Sequence, residues 1–145
     1  MTLVDRSALV GYSAQQMYAL VEDIEAYPQF LPWCERAVVS TREPSRTIGT
    51  LHVNFHGLRQ QFTTENTLHP GVRIDMKLVS GPFHSLDGHW GFVALEASAS
   101  KVELKLEYRF ASRVLEKTVG PAFHAIADSF VDAFVRRARE KFGSG

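Results

Sequence analysis

The stretch from Lys101 to Phe110 constrains this chain more than any other. Val102, Leu104, Leu106, Tyr108 and Phe110 alternate with Lys101, Glu103, Lys105, Glu107 and Arg109, so one face is apolar and the other charged. Successive side chains of a strand point to opposite faces, and a strand with one wet face belongs in a half-buried antiparallel sheet. Such a sheet needs a cover for its apolar side. The period then changes: Phe123, Ile126, Ala127, Phe130, Phe134, Ala138 and Phe142 recur every three to four residues, the spacing of one helix face. Pro121 fits the first turn of that helix, where its missing N–H costs nothing, and Gly143 fits just past its end. At about 1.5 Å per residue the helix would rise roughly 33 Å, enough to cross a large twisted sheet.

The rest of the chain supplies that sheet. Residues 2–10 are rich in leucine and β-branched side chains and suggest a first strand. Ser13 and Gln16 form a capping box, and Met17, Leu20, Val21 and Ile24 follow at helical spacing, giving a short helix to about Asp23. Val72, Ile74, Met76 and Leu78 alternate with Arg73, Asp75 and Lys77, while Leu51, Val53 and Phe55 repeat the period of two. Turn signals at Glu43-Pro44, His56-Gly57, Pro70-Gly71, Gly81-Pro82 and residues 97–100 divide Ala37 to Ala111 into six strands. Pro70-Gly71 suits a type II turn, and a short helical turn is expected at Arg113 to Thr118. Pro28 and Pro32 bracket a segment, Tyr27 to Glu35, expected to be extended yet unusually apolar. The fold class is α+β: a curved antiparallel sheet of about seven strands wrapped around a long C-terminal helix. One domain is expected over residues 1–143, with a flexible tail at 144–145.

Composition narrows the function classes. With 16 Lys+Arg against 16 Asp+Glu, the net charge of zero weighs against a nucleic-acid binder that uses its whole surface. The single cysteine makes no intramolecular disulfide, and Asp5 and Arg6 interrupt the region where a signal peptide would be apolar. No apolar run approaches the roughly 18 residues of a membrane span. A cytoplasmic protein is expected.

Several strings together carry a family resemblance. Tyr27-Pro28-Gln29-Phe30-Leu31-Pro32-Trp33-Cys34, within a segment that begins at Val21, is the most specific. Gly81-Pro82-Phe83, Leu86-Asp87-Gly88-His89-Trp90, and Leu115-Glu116-Lys117 leading into Gly120-Pro121 accompany it. The chain resembles, over essentially its whole length, the START-like (helix-grip) family of coenzyme Q-binding proteins and bacterial ribosome association toxins, in the polyketide cyclase/dehydrase superfamily. The resemblance implies a sheet–helix tunnel for a polyprenyl quinone, most directly ubiquinone, in support of respiratory electron transport or ubiquinone biosynthesis. That role would bring the protein to the periphery of the inner membrane. The resemblance equally admits a toxin that binds the large ribosomal subunit and blocks subunit joining, or a polyketide cyclase/aromatase. It leaves the oligomeric state open.

The residues offer a tunnel lining. Phe123, Phe130 and Phe134 on the helix would face Phe55, Phe62, Met76, Trp90, Phe92 and Phe110 on the strands. These could pack as an ordinary core, or leave walls of rigid rings and a flexible thioether around an apolar ligand. Phe30 and Trp33 are expected in the lining as well, as a plug at one end of that core or a lip against a bilayer. Arg136, Arg137, Arg139 and Lys141 complement the negative end of the last helix, or contact anionic lipid or RNA. His89, beside Trp90, is the candidate polar contact to a quinone carbonyl. His52 and His56 share a strand face about 13 Å apart, too far for one zinc ion. Cys34 has no identifiable base beside it, and the chain carries no nucleophile elbow, phosphate loop or metal motif. No catalytic residue and no required cofactor are expected, and the reading is that of a binding protein rather than an enzyme.

Overall fold

The computed structural model describes residues 2–143, apart from His56 and the side chain of Phe55. Seven strands form one antiparallel sheet: β1 (Thr2–Val10), β2 (Cys34–Glu43), β3 (Arg46–Phe55), β4 (Leu58–His69), β5 (Arg73–Ser80), β6 (Phe83–Glu96) and β7 (Ala99–Phe110). Their order is β1-β7-β6-β5-β4-β3-β2, a meander whose last strand returns to pair with the first. Val4 opposite Leu106 and Ala8 opposite Val102 set the β1–β7 register and put both apolar rows on one side. Register shifts at Cys34/Arg36, Val39/Thr41, Thr63/Thr64, Phe83/Ser85 and Ala94/Glu96 bend the strands, since an extra residue kinks a strand and increases its twist. The six strands expected between Ala37 and Ala111 are all present. The tail expected at 144–145 lies outside the described residues.

Gly88 shows how closely β6 approaches β7. A Cβ there would run into the Lys105 carbonyl oxygen and lie 2.9 Å from Leu106 Cδ1. The Pro70-Gly71 turn has the expected geometry, with Gly71 at φ 74° and the Val72 N–H donating to the His69 carbonyl at 2.9 Å. Val72, expected on the inner face, belongs to this turn and is exposed. The alternation begins one residue later, at Arg73.

Three α-helices are found among the described residues: α1 (Ala14–Glu22), α2 (Arg113–Thr118) and α3 (Gly120–Phe142). The Ser13–Gln16 capping box opens α1, with Gln16 N donating to Ser13 Oγ at 3.0 Å and Ser13 N to Gln16 Oε1 at 2.9 Å. α3 buries Phe123, Ile126, Ala127, Val131, Ala133, Phe134 and Ala138 against the concave face of the sheet. Its end is tied down where the Tyr12 hydroxyl donates to the Gly143 carbonyl and the Phe142 ring leans on Tyr12, centroids 5.8 Å apart.

The segment expected to be extended is not. Ile24–Gln29 forms a 3-10 helix that contains Pro28. Proline fixes φ near −65°, which suits a tight helical turn as well as an extended chain, so the proline bracket alone could not decide between them. Tertiary packing decided it. Ile24, Tyr27 and Leu31 point into the core, and the Tyr27 hydroxyl donates to the Val21 carbonyl.

Candidate functional site

The expected lining divides into residues that meet and residues that do not. Phe62 from β4, Met76 from β5, Trp90 from β6, and Phe123, Phe130 and Phe134 from α3 surround one internal space. Ile24 and Tyr27 close one end of it, and Leu86, Leu104 and Leu106 form its floor. Phe92 is not part of it. α1 covers that end of the sheet, and Phe92 packs edge-on against Tyr18 with centroids 5.7 Å apart. Phe110, at the end of β7, packs instead on Phe83 at 5.0 Å, near the start of α3. Phe30 and Trp33 sit outside the space and plug it: Phe30 meets Phe134 at 5.2 Å, and Trp33 meets Phe130 at 5.3 Å. The side chain of Phe55 lies outside the described residues.

The space these residues leave is about 60 Å³. Pockets for small organic ligands usually run to about 300–1,000 Å³. The rings fill what the tunnel would need. Trp90 and Phe134 meet at 5.2 Å and 77°, Phe83 and Phe123 at 4.9 Å and 63°, each an edge-on contact that aromatic quadrupoles favour. An aromatic headgroup therefore enters only if side chains move.

Two polar groups on this apolar wall escaped the sequence reading. Thr64 and Asn66 lie on the inner row of β4 with Phe62 and Leu68, and Thr64 Oγ1 donates to Asn66 Oδ1 at 3.0 Å. The signal was present in the period of two: an asparagine, poorly suited to strands, falls in the apolar row. Beside them on β3, Thr47 Oγ1 is buried with no hydrogen-bond partner among the described residues.

His89 does not reach this space. Its neighbour Trp90 points inward, so His89 points out, between Asp75 on β5 and Lys105 on β7. Partial burial and the nearby Arg73 hold its imidazole below the ordinary value. Cys34 is buried, and burial pushes its thiol up to about 11. Burial also raises the Tyr27 phenol far above its usual range, so it stays protonated. His56, half of the rejected zinc pair, lies outside the described residues. Among those described, no three His, Cys, Asp or Glu side chains converge.

The basic residues at the end of α3 are exposed or half-buried on its outer side. Arg137 donates to Gln29 Oε1 at 2.8 Å, and its guanidinium lies 5.1 Å from the Phe30 ring centre. Arg136 and Arg139 flank a shallow depression with Glu140. No described helix is long and apolar enough to cross a membrane.

Comparison with known proteins agrees with this architecture. The family described as polyketide cyclase/dehydrase and lipid transport matches residues 10–135. The ribosome association toxin RatA of Vibrio cholerae is 43% identical over 143 residues, covering 99% of both chains. Its Escherichia coli namesake is 38% identical over 144 residues, covering 99% of this chain and 91% of that one. The mitochondrial coenzyme Q-binding protein COQ10 of Drosophila melanogaster is 28% identical, over 95% of this chain and 59% of that one. Among solved structures, the ZhuI aromatase/cyclase of Streptomyces superposes with a TM-score of 0.80 at 17% identity, covering 97% and 95% of the two chains. The Caulobacter crescentus protein CC1736 does so at 0.74 and 27% identity, covering 99% of each chain. The fold is START-like, and the chain belongs to the polyketide cyclase/dehydrase and lipid transport family, in the group that holds the ribosome association toxins.

Proposed function

We propose that this chain binds the ribosome at its large subunit and blocks subunit joining, acting as an inhibitor of translation. The observation that carries this reading is the smallness of the interior space. A space of about 60 Å³ leaves the partner to be met on the outer surface. Whole-length identity of 43% to a protein named for ribosome association supports the same choice. Turnover is not part of the proposal. Among the described residues, the lining of the internal space has no carboxylate, imidazole or thiol, and its one phenol is bonded to a backbone carbonyl, so general acid–base chemistry lacks a donor there. The test is reassociation of purified subunits in the presence of the chain. A fall in joined ribosomes with a matching rise in free subunits is expected. Unchanged joining at a large molar excess would overturn the reading.

A second reading rests on a different observation. The internal wall is apolar except for the Thr64–Asn66 edge, an arrangement that suits a greasy molecule with one polar end, and a distant relative is named for binding coenzyme Q. In that reading the rings part to admit a quinone, Met76 and Phe130 being half-buried and the first to yield. Mass spectrometry of lipid extracted from protein purified from its native host decides it. A retained prenyl quinone supports the reading, and a chain free of prenyl lipid removes it.

A further inference from the structure

An open groove of about 800 Å³ lies between the start of β1, the end of β7, α2 and the first turn of α3. Neither the sequence reading nor the family likeness assigned it a role. Arg109 and Arg113 line it together with His84 and His124, and among the described residues Glu116 is its one carboxylate. We propose that this groove holds the sugar–phosphate backbone of RNA; the proposal rests on the ribosome reading above and names the surface and chemistry of that contact.

The charge distribution supports the choice. Arg6, Arg42, Arg46, Arg59 and Arg73 are each paired with a carboxylate, so most of the sheet's positive charge is already answered. Arg109 and Arg113 make no salt bridge among the described residues. In a chain of zero net charge, two unanswered guanidinium groups in one concavity make a local positive field. Guanidinium groups present fixed forks of donors that match phosphate oxygens.

The groove is also held in shape. The Ser112 hydroxyl accepts from Leu115 N at 3.2 Å and caps α2 at the residue before Arg113. The Tyr108 hydroxyl and His124 Nδ1 lie 3.2 Å apart and join β7 to α3 across the floor. Arg109 therefore stands on a paired strand and Arg113 on a capped turn, with little backbone to order when a ligand arrives.

The competing surface is the other end of α3. There Arg136, Arg139 and Lys141 stand where the helix's own partial charge is negative, and Glu140 is among them. Arg137 is already engaged by Gln29 and Phe30. Arg136, Arg139 and Lys141 make no salt bridge among the described residues either, but they stand at the negative end of the helix, whereas the groove lies beside its positive end. The first turn of α3, by contrast, contains no acidic residue to offset the groove.

The experiment compares three double variants with the parent: Arg109→Gln/Arg113→Gln in the groove, Arg136→Gln/Arg139→Gln at the helix end, and Lys77→Gln/Lys105→Gln on the outer sheet face. Each is measured for co-sedimentation with large ribosomal subunits, and for fluorescence anisotropy with a labelled single-stranded RNA oligonucleotide, across a salt series. Circular dichroism confirms that each variant is folded. The groove variant is expected to bind both probes at least about tenfold more weakly, and its slope of log affinity against log salt should flatten by about 1.5. The sheet-face variant should retain parental values. Equal binding by the groove variant, or a loss confined to the helix-end variant, would overturn the proposal. If the parent binds RNA through the groove but not the subunit, the ribosome reading alone fails. If it binds neither, both fail.

Discussion

Two side chains test the electrostatic description at the scale of single residues. The Cys34 thiol, pushed up to about 11 by burial, donates weakly to the Arg36 carbonyl at 3.6 Å. At pH 8 about one such thiol in a thousand would be ionised, and only the thiolate reacts. Modification by a disulfide reagent is expected to be slow in the native protein and fast in denaturant; rapid native labelling would contradict the burial. Asp128 is the second case. It accepts two hydrogen bonds from the Arg6 guanidinium, at 2.7 and 2.6 Å, and these hold its carboxyl below the usual carboxylate range. A carboxylate with a depressed native value contributes stability that is fully present above its unfolded value of about 3.9 and is lost as pH falls through the native one. Asp128→Asn should lower the urea midpoint slightly at neutral pH, because both partners are well exposed. The gap from the parent should close as the solution is acidified. A gap that persists at low pH would mean that something other than the charge pair was lost.

At the scale of elements, the β6–β7 contact is the tightest prediction. Gly88→Ala places a methyl against the Lys105 carbonyl and 2.9 Å from Leu106 Cδ1, and backbone cannot yield as a side-chain tip can. The substitution should cost about 1–3 kcal/mol, read from chemical denaturation, with the larger end expected if the strands separate. Most elements were legible in the sequence, because one residue pattern sufficed for each. Lys101 to Phe110 alternates without an exception, and Pro121 and Gly143 mark the limits of α3 within a residue. The Tyr27 region was not legible. A proline with fixed φ serves both an extended chain and a 3-10 turn, and the choice came from where Tyr27 and Leu31 could be buried. Ring placement was also only half legible. The period of two gave the inward face for Phe92 and Phe110 correctly, but which end of the sheet each occupies depends on where α1 and α2 lie. A repeat along one strand contains no information about how another element covers it.

At the scale of the whole molecule, neutrality and aromatic richness describe different parts. Eight of the ten phenylalanines were expected to line a tunnel. Of those lining the internal space, Phe62 and Phe123 meet edge to face and Phe134 meets Trp90 edge-on, and about 60 Å³ is left there. Zero net charge, read as weighing against a nucleic-acid partner, averages over a sheet whose arginines are mostly paired and a groove whose arginines are not. A small contact patch is invisible to a sum over the chain. The most direct measurement of the central claim is co-sedimentation of the purified protein with separated ribosomal subunits through a sucrose cushion at physiological salt. The protein should pellet with the large subunit in near-stoichiometric amounts and stay in the supernatant with the small one. Protein left in the supernatant with both subunits would contradict the claim that this fold meets its partner on its outer surface at the ribosome.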